Sequence, residues 1–212
     1  MDLTTPTRLL AAAAAVLALV AGLAGDARAG TTTRYAISGA NATIAVPSSW
    51  KVLDRRTVTN SAAFSRFVDE NPALRALATQ MRAPNSAIKL MAFDPTRGTF
   101  ATSVNVVLSG PSAGLTPRQA AASYAREVKA QLPYVLGQIA TSVVRLPIGP
   151  AVRASYRVRF TSNGRAVTTQ TLQYLVLRED TSFVVTLTTL PAEAARRRAA
   201  FTAIARSLRL GA

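Results

Sequence analysis

The 212-residue chain contains no cysteine and no histidine. Without histidine it lacks the usual general base near neutral pH, and without cysteine it lacks a thiol nucleophile. Together the two absences exclude Ser-His-Asp triads, Cys-His pairs and ordinary zinc sites. They also exclude disulfides, so the hydrophobic core must stabilise the fold unaided. We therefore expect no cofactor, no metal and no familiar hydrolase chemistry.

Acidic residues are also scarce, with 10 against 25 basic residues and a net charge of +15. Asp69-Glu70 and Glu179-Asp180 are sequence neighbours, and we place them at a helix end and in a hairpin turn. A glycosidase needs two acids facing each other across a sugar, and a calcium site needs several converging oxygens. Solvated turn residues are the simpler interpretation of both pairs.

The basic excess is nearly all arginine, since Lys51, Lys89 and Lys129 are the only lysines. Such a surface attracts anionic lipid headgroups, acidic glycans or polyphosphates, and the attraction weakens with salt. An Arg-rich, Lys-poor composition also arises from GC-rich coding without selection for a ligand, and this alternative stays open. Nucleic acid is not an expected partner, because no recognition helix or aromatic RNA-binding motif is present.

The N-terminal segment has the layout of a secretory signal peptide. Arg8 precedes an apolar stretch from Leu9 to Leu23, and Ala27-Arg28-Ala29 precedes Gly30. The apolar stretch is shorter than the roughly 20 residues that span a bilayer. No cysteine follows it to carry a lipid anchor. We predict a signal peptide at residues 1-29, cleaved after Ala29, and one secreted, extracytoplasmic domain at residues 30-212, in the periplasm or cell wall.

Hydrophobic periodicity and turn residues define the order of the elements. The sequence Thr116-Pro117-Arg118-Gln119 predicts a capped helix start, and Pro133 predicts its end. Between Asn60 and Met81 the pattern predicts two short helices or one kinked helix, interrupted at Asn71-Pro72. The predicted strands are Tyr35 to Ser38, Thr43 to Val46, Ser86 to Phe93, Thr99 to Leu108, Gln138 to Leu146, Ala151 to Thr161, Ala166 to Leu177 and Ser182 to Thr189, before a last helix from Pro191 to about Leu208.

The dipeptide Asn163-Gly164 predicts a two-residue hairpin turn, because both central positions of a type I′ turn need positive φ. In that register Arg159 faces Thr168, Arg157 faces Gln170 and Arg153 faces Tyr174. The opposite surface carries Tyr156, Val158 and Phe160. The arginine-bearing surface is the leading candidate for binding, and its residues are Arg153, Arg157, Arg159, Thr168, Gln170 and Tyr174.

Two structural interpretations of the arginines remain open. The hairpin arginines could instead keep an exposed sheet face soluble, or their apolar stems could pack across apolar neighbours beneath a helix. The run Arg196-Arg197-Arg198 sweeps about 200° around a helix, so the three cannot all reach one flat partner. A solvated outer face is expected for this run, with an anionic contact as the alternative.

Several of these segments resemble the PsbP-like superfamily, whose bacterial envelope members include LpqN-like and DcrB-like proteins. They are Val46-Pro47-Ser48-Ser49-Trp50, the strands around Ile88 to Leu108, the helix from Thr116, the late meander and Phe201 to Leu208. The resemblance implies an α+β fold, a twisted antiparallel β-sheet with helices packed on both faces in an α/β/α sandwich. It implies docking or accessory roles without shared catalytic residues. Many LpqN-like proteins are lipoproteins, and this chain lacks the lipobox cysteine.

From these features we predict an exported, non-catalytic accessory or binding protein of the bacterial cell envelope. Its expected partner is an anionic lipid, glycan or protein, with peripheral membrane contact and no nucleic acid. Arginine would bind it through bidentate hydrogen bonds to phosphate or carboxylate. One alternative is a carrier of an apolar ligand, lined by Phe64, Phe67, Leu77 and Met81. The other is a hydrolase that uses paired carboxylates, or Lys89 with Ser86, Ser103 or Ser109.

Overall fold

The computed structural model describes residues 31–70, 74–95, 102–112, 114–162 and 165–211. The predicted signal peptide and the dipeptide Asn163-Gly164 lie outside the described residues. The strands are β1 Thr32–Ile37, β2 Ala42–Pro47, β3 Lys51–Asp54, β4 Ile88–Phe93, β5 Ser103–Ser109, β6 Val135–Leu146, β7 Gly149–Ser162, β8 Arg165–Val176, β9 Ser182–Thr189 and β10 Arg209–Leu210. The helices are α1 Arg55–Thr59, α2 Ser61–Glu70, α3 Arg75–Arg82, α4 Pro117–Gln131 and α5 Ala194–Arg206, the last preceded by a 3₁₀ turn, Pro191–Glu193.

The strands form two antiparallel sheets. The larger has seven strands in the order β3-β4-β5-β9-β8-β7-β6, and the smaller has three in the order β1-β2-β10. Strands β6 to β9 follow one another as a meander, as the sequence pattern predicts. None of the helices in the described ranges is both long enough and apolar enough to cross a bilayer.

Each face of the large sheet has its own hydrophobic core, because side chains alternate between the faces along every strand. Helices α1 to α4 cover one face, where Val152, Tyr156 and Leu175 are buried against Tyr124 of α4. Helix α5 and the small sheet cover the other face, where Phe201 and Ile204 pack with Ile44 and Leu187. The expected α+β architecture, with helices on both faces of an antiparallel sheet, is confirmed.

Helix α4 begins as the sequence predicts. The Thr116 hydroxyl accepts a hydrogen bond from the Gln119 amide at 3.3 Å, and the Gln119 side-chain oxygen accepts one from the Thr116 amide at 2.9 Å. The helix ends at Gln131, two residues before Pro133. Its buried stripe of Ala120, Tyr124 and Val128 lies on the β6–β7 end of the large sheet.

Three short elements were not predicted from the sequence: strands β3 and β10, and helix α1. Asp54 ends β3 and caps α1, because its carboxylate accepts a hydrogen bond from the Thr57 amide at 2.9 Å. Strand β10 is held by antiparallel pairing of Arg209 and Leu210 with β2. Such short segments carry no periodicity of their own, so the two strands are defined by their pairing and α1 by its cap. Of the two options for residues 60–81, the structure shows two helices, α2 and α3, with residues 71–73 between them outside the described ranges.

The expectation of a solvated arginine run is wrong at one position. Arg196 and Arg198 are exposed, but Arg197 is only 5% exposed and forms an ion pair with buried Asp94. Its second carboxylate partner is Glu193, at 3.5 Å. Arg197 lies four, seven and eleven residues before Phe201, Ile204 and Leu208, on the buried stripe of α5. Its place on that stripe explains its burial.

Candidate binding surface

The predicted hairpin register is the one observed. Arg159 pairs with Thr168, Arg157 with Gln170 and Arg153 with Tyr174. The last pair, Ser162 with Arg165, leaves only residues 163 and 164 between the strands. Directly opposed residues of an antiparallel pair point to the same face, so the predicted residues share one face of the large sheet.

Burial divides these six residues. Arg153, Arg157 and Arg159 are exposed, and Thr168 and Gln170 are half-buried. Tyr174 is only 4% exposed and belongs to the core beneath α5 and the small sheet. The expectation that Tyr174 belongs to the exposed surface is therefore wrong. Helix α5 and the small sheet cover the large sheet as far as Tyr174 and leave the hairpin end uncovered. We call the remaining five residues the arginine face: Arg153, Arg157, Arg159, Thr168 and Gln170.

Gln170 orders the centre of the arginine face. Its side-chain amide nitrogen donates to the Ser155 hydroxyl and to the Tyr156 carbonyl, both at 3.0 Å. Its side-chain oxygen accepts a longer hydrogen bond from Arg157 Nε, at 3.4 Å. Arginine carries five N–H donors, so the terminal NH₂ groups of Arg157 remain for an external acceptor. The hairpin backbone and one glutamine thus position a guanidinium group at the surface.

Two large apolar side chains border the arginine face. Tyr134 is 56% exposed and Leu136 is 41% exposed. Leu136 lies directly opposite Arg157 in the β6–β7 ladder, and the Tyr134 carbonyl accepts a hydrogen bond from the Arg159 amide at 3.0 Å. Tyr134 and Arg159 also line an open depression of about 530 Å³. Sequence reasoning missed this border, although the apolar run after Pro133 pointed to it.

A β-bulge shapes the edge strand at this border. The β6–β7 register shifts between Leu136 and Ala140, and Gly137 adopts φ +69°. A bulge bends and twists its strand, and the left-handed conformation favours glycine. The bulge therefore separates the end of β6 that carries Leu136 from the regular ladder that follows.

The exposed arginines of this face lack acidic partners within the part of the chain that the structure describes. The ion pairs found there use other cations, namely Lys51, Arg75, Arg178, Arg196 and Arg197. Arg153, Arg157 and Arg159 therefore present positive charge that no described carboxylate neutralises. A surface of this kind attracts anions, most strongly at low ionic strength.

Ser86 and Lys89 of the hydrolase alternative form hydrogen bonds to backbone carbonyls, and no hydrogen bond joins their side chains. Lys89 Nζ donates to the backbone carbonyl of Ser86 at 2.6 Å, and the Ser86 hydroxyl donates to the Ile88 carbonyl at 3.4 Å. Ser103 is buried in strand β5. Two other acids also have structural roles, Asp54 as a helix cap and Asp94 in the ion pair with Arg197.

The residues of the carrier alternative lie in the hydrophobic core between the large sheet and helices α1 to α4. Phe67 and Met81 are buried there, and Phe64 and Leu77 pack against the same cluster. The guanidinium of Arg82 lies 4.9 Å from the centre of the Phe64 ring, a cation–π contact. Core packing accounts for these four side chains without an enclosed ligand.

Comparison with known proteins shows the fold. No family model matches the chain, and no curated protein matches its sequence. Among solved structures, the cyanobacterial PsbP protein CyanoP from Synechocystis sp. PCC 6803 is similar, with a TM-score of 0.50 and 14% identity over 89% of this chain and 98% of that one. LpqN, described as involved in cell envelope biogenesis of Mycobacterium tuberculosis, gives a TM-score of 0.46 and 16% identity over 87% of each chain.

The chain therefore has the PsbP-like fold that the sequence resemblance implied. At 14% identity the similarity to CyanoP concerns the fold alone. Function has to be argued from this chain's own surfaces, since one fold hosts many functions.

Proposed function

We propose that this chain is an exported, non-catalytic accessory protein of the bacterial cell envelope that docks on an anionic membrane surface through the arginine face. One observation carries the proposal. Three exposed arginines without acidic partners among the described residues lie on one paired hairpin, next to exposed Tyr134 and Leu136. The export step rests on the signal peptide expected at residues 1-29.

Lipid is favoured over a glycan or a protein because of the apolar border. Guanidinium groups bind phosphate through paired hydrogen bonds, while tyrosine inserts an apolar ring and keeps its hydroxyl in water. Each basic residue near an anionic membrane contributes about 1 kcal/mol, so three arginines supply about 3 kcal/mol. The resulting contact is weak, reversible and sensitive to salt, as expected of a peripheral protein. An acidic glycan or protein would use the same cations but has less need of Leu136.

The non-catalytic assignment is supported by what the chain lacks and by how its polar groups are used. Histidine and cysteine are absent from the sequence. Ser86 and Lys89 bond to backbone carbonyls, Asp54 caps a helix and Asp94 forms an ion pair. Turnover of any substrate by the purified protein, abolished by one substitution at Lys89 or at an acid, would overturn this assignment.

The test is charge reversal on the arginine face. Arg157→Glu with Arg159→Glu should reduce retention on envelope fractions and leave the fold intact. The matched control is Arg118→Glu with Arg126→Glu, which changes net charge equally at exposed positions of α4, on the opposite face of the sheet. Retention equal to that of the control would contradict the proposal. Loss of retention with no binding to anionic vesicles would identify a glycan or protein as the partner.

A further inference from the structure

A second group of cations lies at the far end of the large sheet from the arginine face. Arg55 of α1 and Lys89 of β4 line a pocket of about 200 Å³, together with Val58, Ser86 and two residues of the β1–β2 turn, Ser38 and Gly39. Strands β3 and β4 form one edge of the sheet, and β7 and β6 form the other. The pocket is therefore separate from the surface proposed for membrane docking.

The Lys89 ammonium is anchored by one hydrogen bond and lies close to the β1–β2 turn. It donates one hydrogen bond to the Ser86 carbonyl, at 2.6 Å. The β1–β2 turn also approaches it, because a Cβ atom added at Gly39 would lie 3.8 Å from both Nζ and Cε of Lys89. Gly39 adopts φ +83°, which favours glycine at this position. An ammonium group has three donors, so two remain for a ligand.

Arg55 and Lys89 line the same pocket without a described counter-charge. Neither forms an ion pair with a carboxylate among the residues that the structure describes. The nearest acid in sequence, Asp54, is engaged in capping, accepting hydrogen bonds from the Thr57 amide at 2.9 Å and its hydroxyl at 3.0 Å. Burial, and secondly the charge of Arg55, lower the pKa of Lys89 below its usual value. An anion in the pocket would offset the repulsion between the two cations and favour the charged form of Lys89.

We propose that this pocket binds a single phosphate group, either as the free ion or as the headgroup of a larger molecule. Arg55 supplies the planar fork that suits two oxygens of a phosphate, and Lys89 supplies a compact charge for a third. The lining hydroxyl of Ser38 is a further donor. The volume equals about seven waters, which accommodates a phosphate group and is smaller than the roughly 300 Å³ or more of a drug-sized ligand site.

The first test uses inorganic phosphate and backbone amide NMR spectra at constant ionic strength, with chloride as the reference anion. Saturable shifts are expected at Gly39, Ser86 and Lys89. Lys89→Met should weaken binding roughly 10- to 100-fold, the usual effect of one hydrogen bond to a charged group. Lys129→Met is the matched control, since Lys129 is exposed on α4. Equal titrations in wild type and Lys89→Met, or no saturation in either, would exclude free phosphate as the ligand. The proposal as a whole would then be overturned if phospholipid vesicles also gave no Lys89-dependent shifts.

Thermal stability provides a second readout that does not depend on spectral assignment. Phosphate should raise the Tm of the wild type and of Lys129→Met, because a ligand that binds only the folded state stabilises it. It should have little effect on Lys89→Met or Arg55→Met. Lys89→Met itself should fold, since it replaces a partly desolvated charge by an apolar chain of similar length.

A vesicle arm separates the two sources of phosphate. Phosphatidic acid vesicles, whose phosphomonoester headgroup keeps three free oxygens, are added to the Arg157→Glu, Arg159→Glu double variant, in which the arginine face is inactivated, and to the same variant carrying Lys89→Met. Lys89-dependent shifts with inorganic phosphate would identify the free ion as the ligand. Lys89-dependent shifts with vesicles but not with inorganic phosphate would identify a lipid headgroup. No Lys89-dependent response to either probe would overturn the pocket proposal and leave the docking proposal untouched.

Discussion

The buried ion pair between Arg197 and Asp94 allows a quantitative prediction for Arg197→Met. The two side chains are 6% and 4% exposed, so removing one partner leaves the other charge buried. Breaking such a pair destabilises a protein by about 3–5 kcal/mol, and in a domain of this size that lowers the Tm by roughly 6–20 °C. Glu193, the second carboxylate partner of Arg197, cannot neutralise Asp94 in this variant because it carries the same negative charge.

The control for this prediction is the adjacent residue in the same helix. Arg196 pairs with Glu193 at 3.2 Å but is 71% exposed, and exposed pairs contribute about 0–1 kcal/mol. Arg196→Met should therefore change stability little. Urea unfolding can be followed by fluorescence of Trp50, the chain's one tryptophan, which is buried in the core beneath α5. A loss in Arg197→Met no larger than in Arg196→Met would refute the reasoning.

The double variant Asp94→Leu with Arg197→Met completes the cycle. Replacing both members of a buried pair by apolar residues is often neutral or stabilising, so the double variant should regain most of the stability lost in Arg197→Met. Additive losses would show that the two residues act independently.

Three further predictions concern the face of the large sheet that α1 to α4 cover. Thr116→Ala removes the side-chain cap of α4 and should cost about 1 kcal/mol in thermal unfolding; an unchanged Tm would contradict this. Tyr124 and Tyr156 both donate a hydrogen bond to the Gln173 side-chain oxygen at 2.8 Å, so Gln173→Leu leaves two buried hydroxyls without their acceptor. The variant should lose about 1–3 kcal/mol of stability per hydroxyl in urea unfolding. Burial raises the pKa of both tyrosines, so the free energy of unfolding should fall as pH rises above about 10, the pKa of tyrosine in the unfolded chain. In an absorbance titration both tyrosines should ionise only when the protein unfolds. Ionisation in the folded state would contradict this prediction.

The late meander was predictable from sequence because its signals are local. Alternating side chains and an Asn-Gly dipeptide define both the faces and the register of a hairpin. The pairs of Arg159 with Thr168 and Arg157 with Gln170 follow from these two signals alone. The capping box of α4 is equally local, since it spans only Thr116 to Gln119.

Burial on the same strands was not predictable in this way. Tyr174 and Gln170 point to one face of β8, yet Tyr174 is buried by α5 and the small sheet while Gln170 lies beyond them. The covering elements come from both ends of the chain, and their extent is a tertiary property. Arg55 and Lys89 meet for a similar reason, because pairing of β3 with β4 joins distant segments. Arg197 is different, because its spacing from Phe201 and Ile204 already placed it on the buried stripe.

The claim that the arginine face docks on anionic membranes is tested most directly by vesicle binding. Wild-type protein should bind phosphatidylglycerol vesicles at low salt and lose binding at high salt, and should not bind phosphatidylcholine vesicles. Arg157→Glu with Arg159→Glu removes about 2 kcal/mol of attraction and adds repulsion, so affinity should fall at least about 30-fold. Arg118→Glu with Arg126→Glu should retain most of the affinity. Equal affinities of the two double variants would contradict the account.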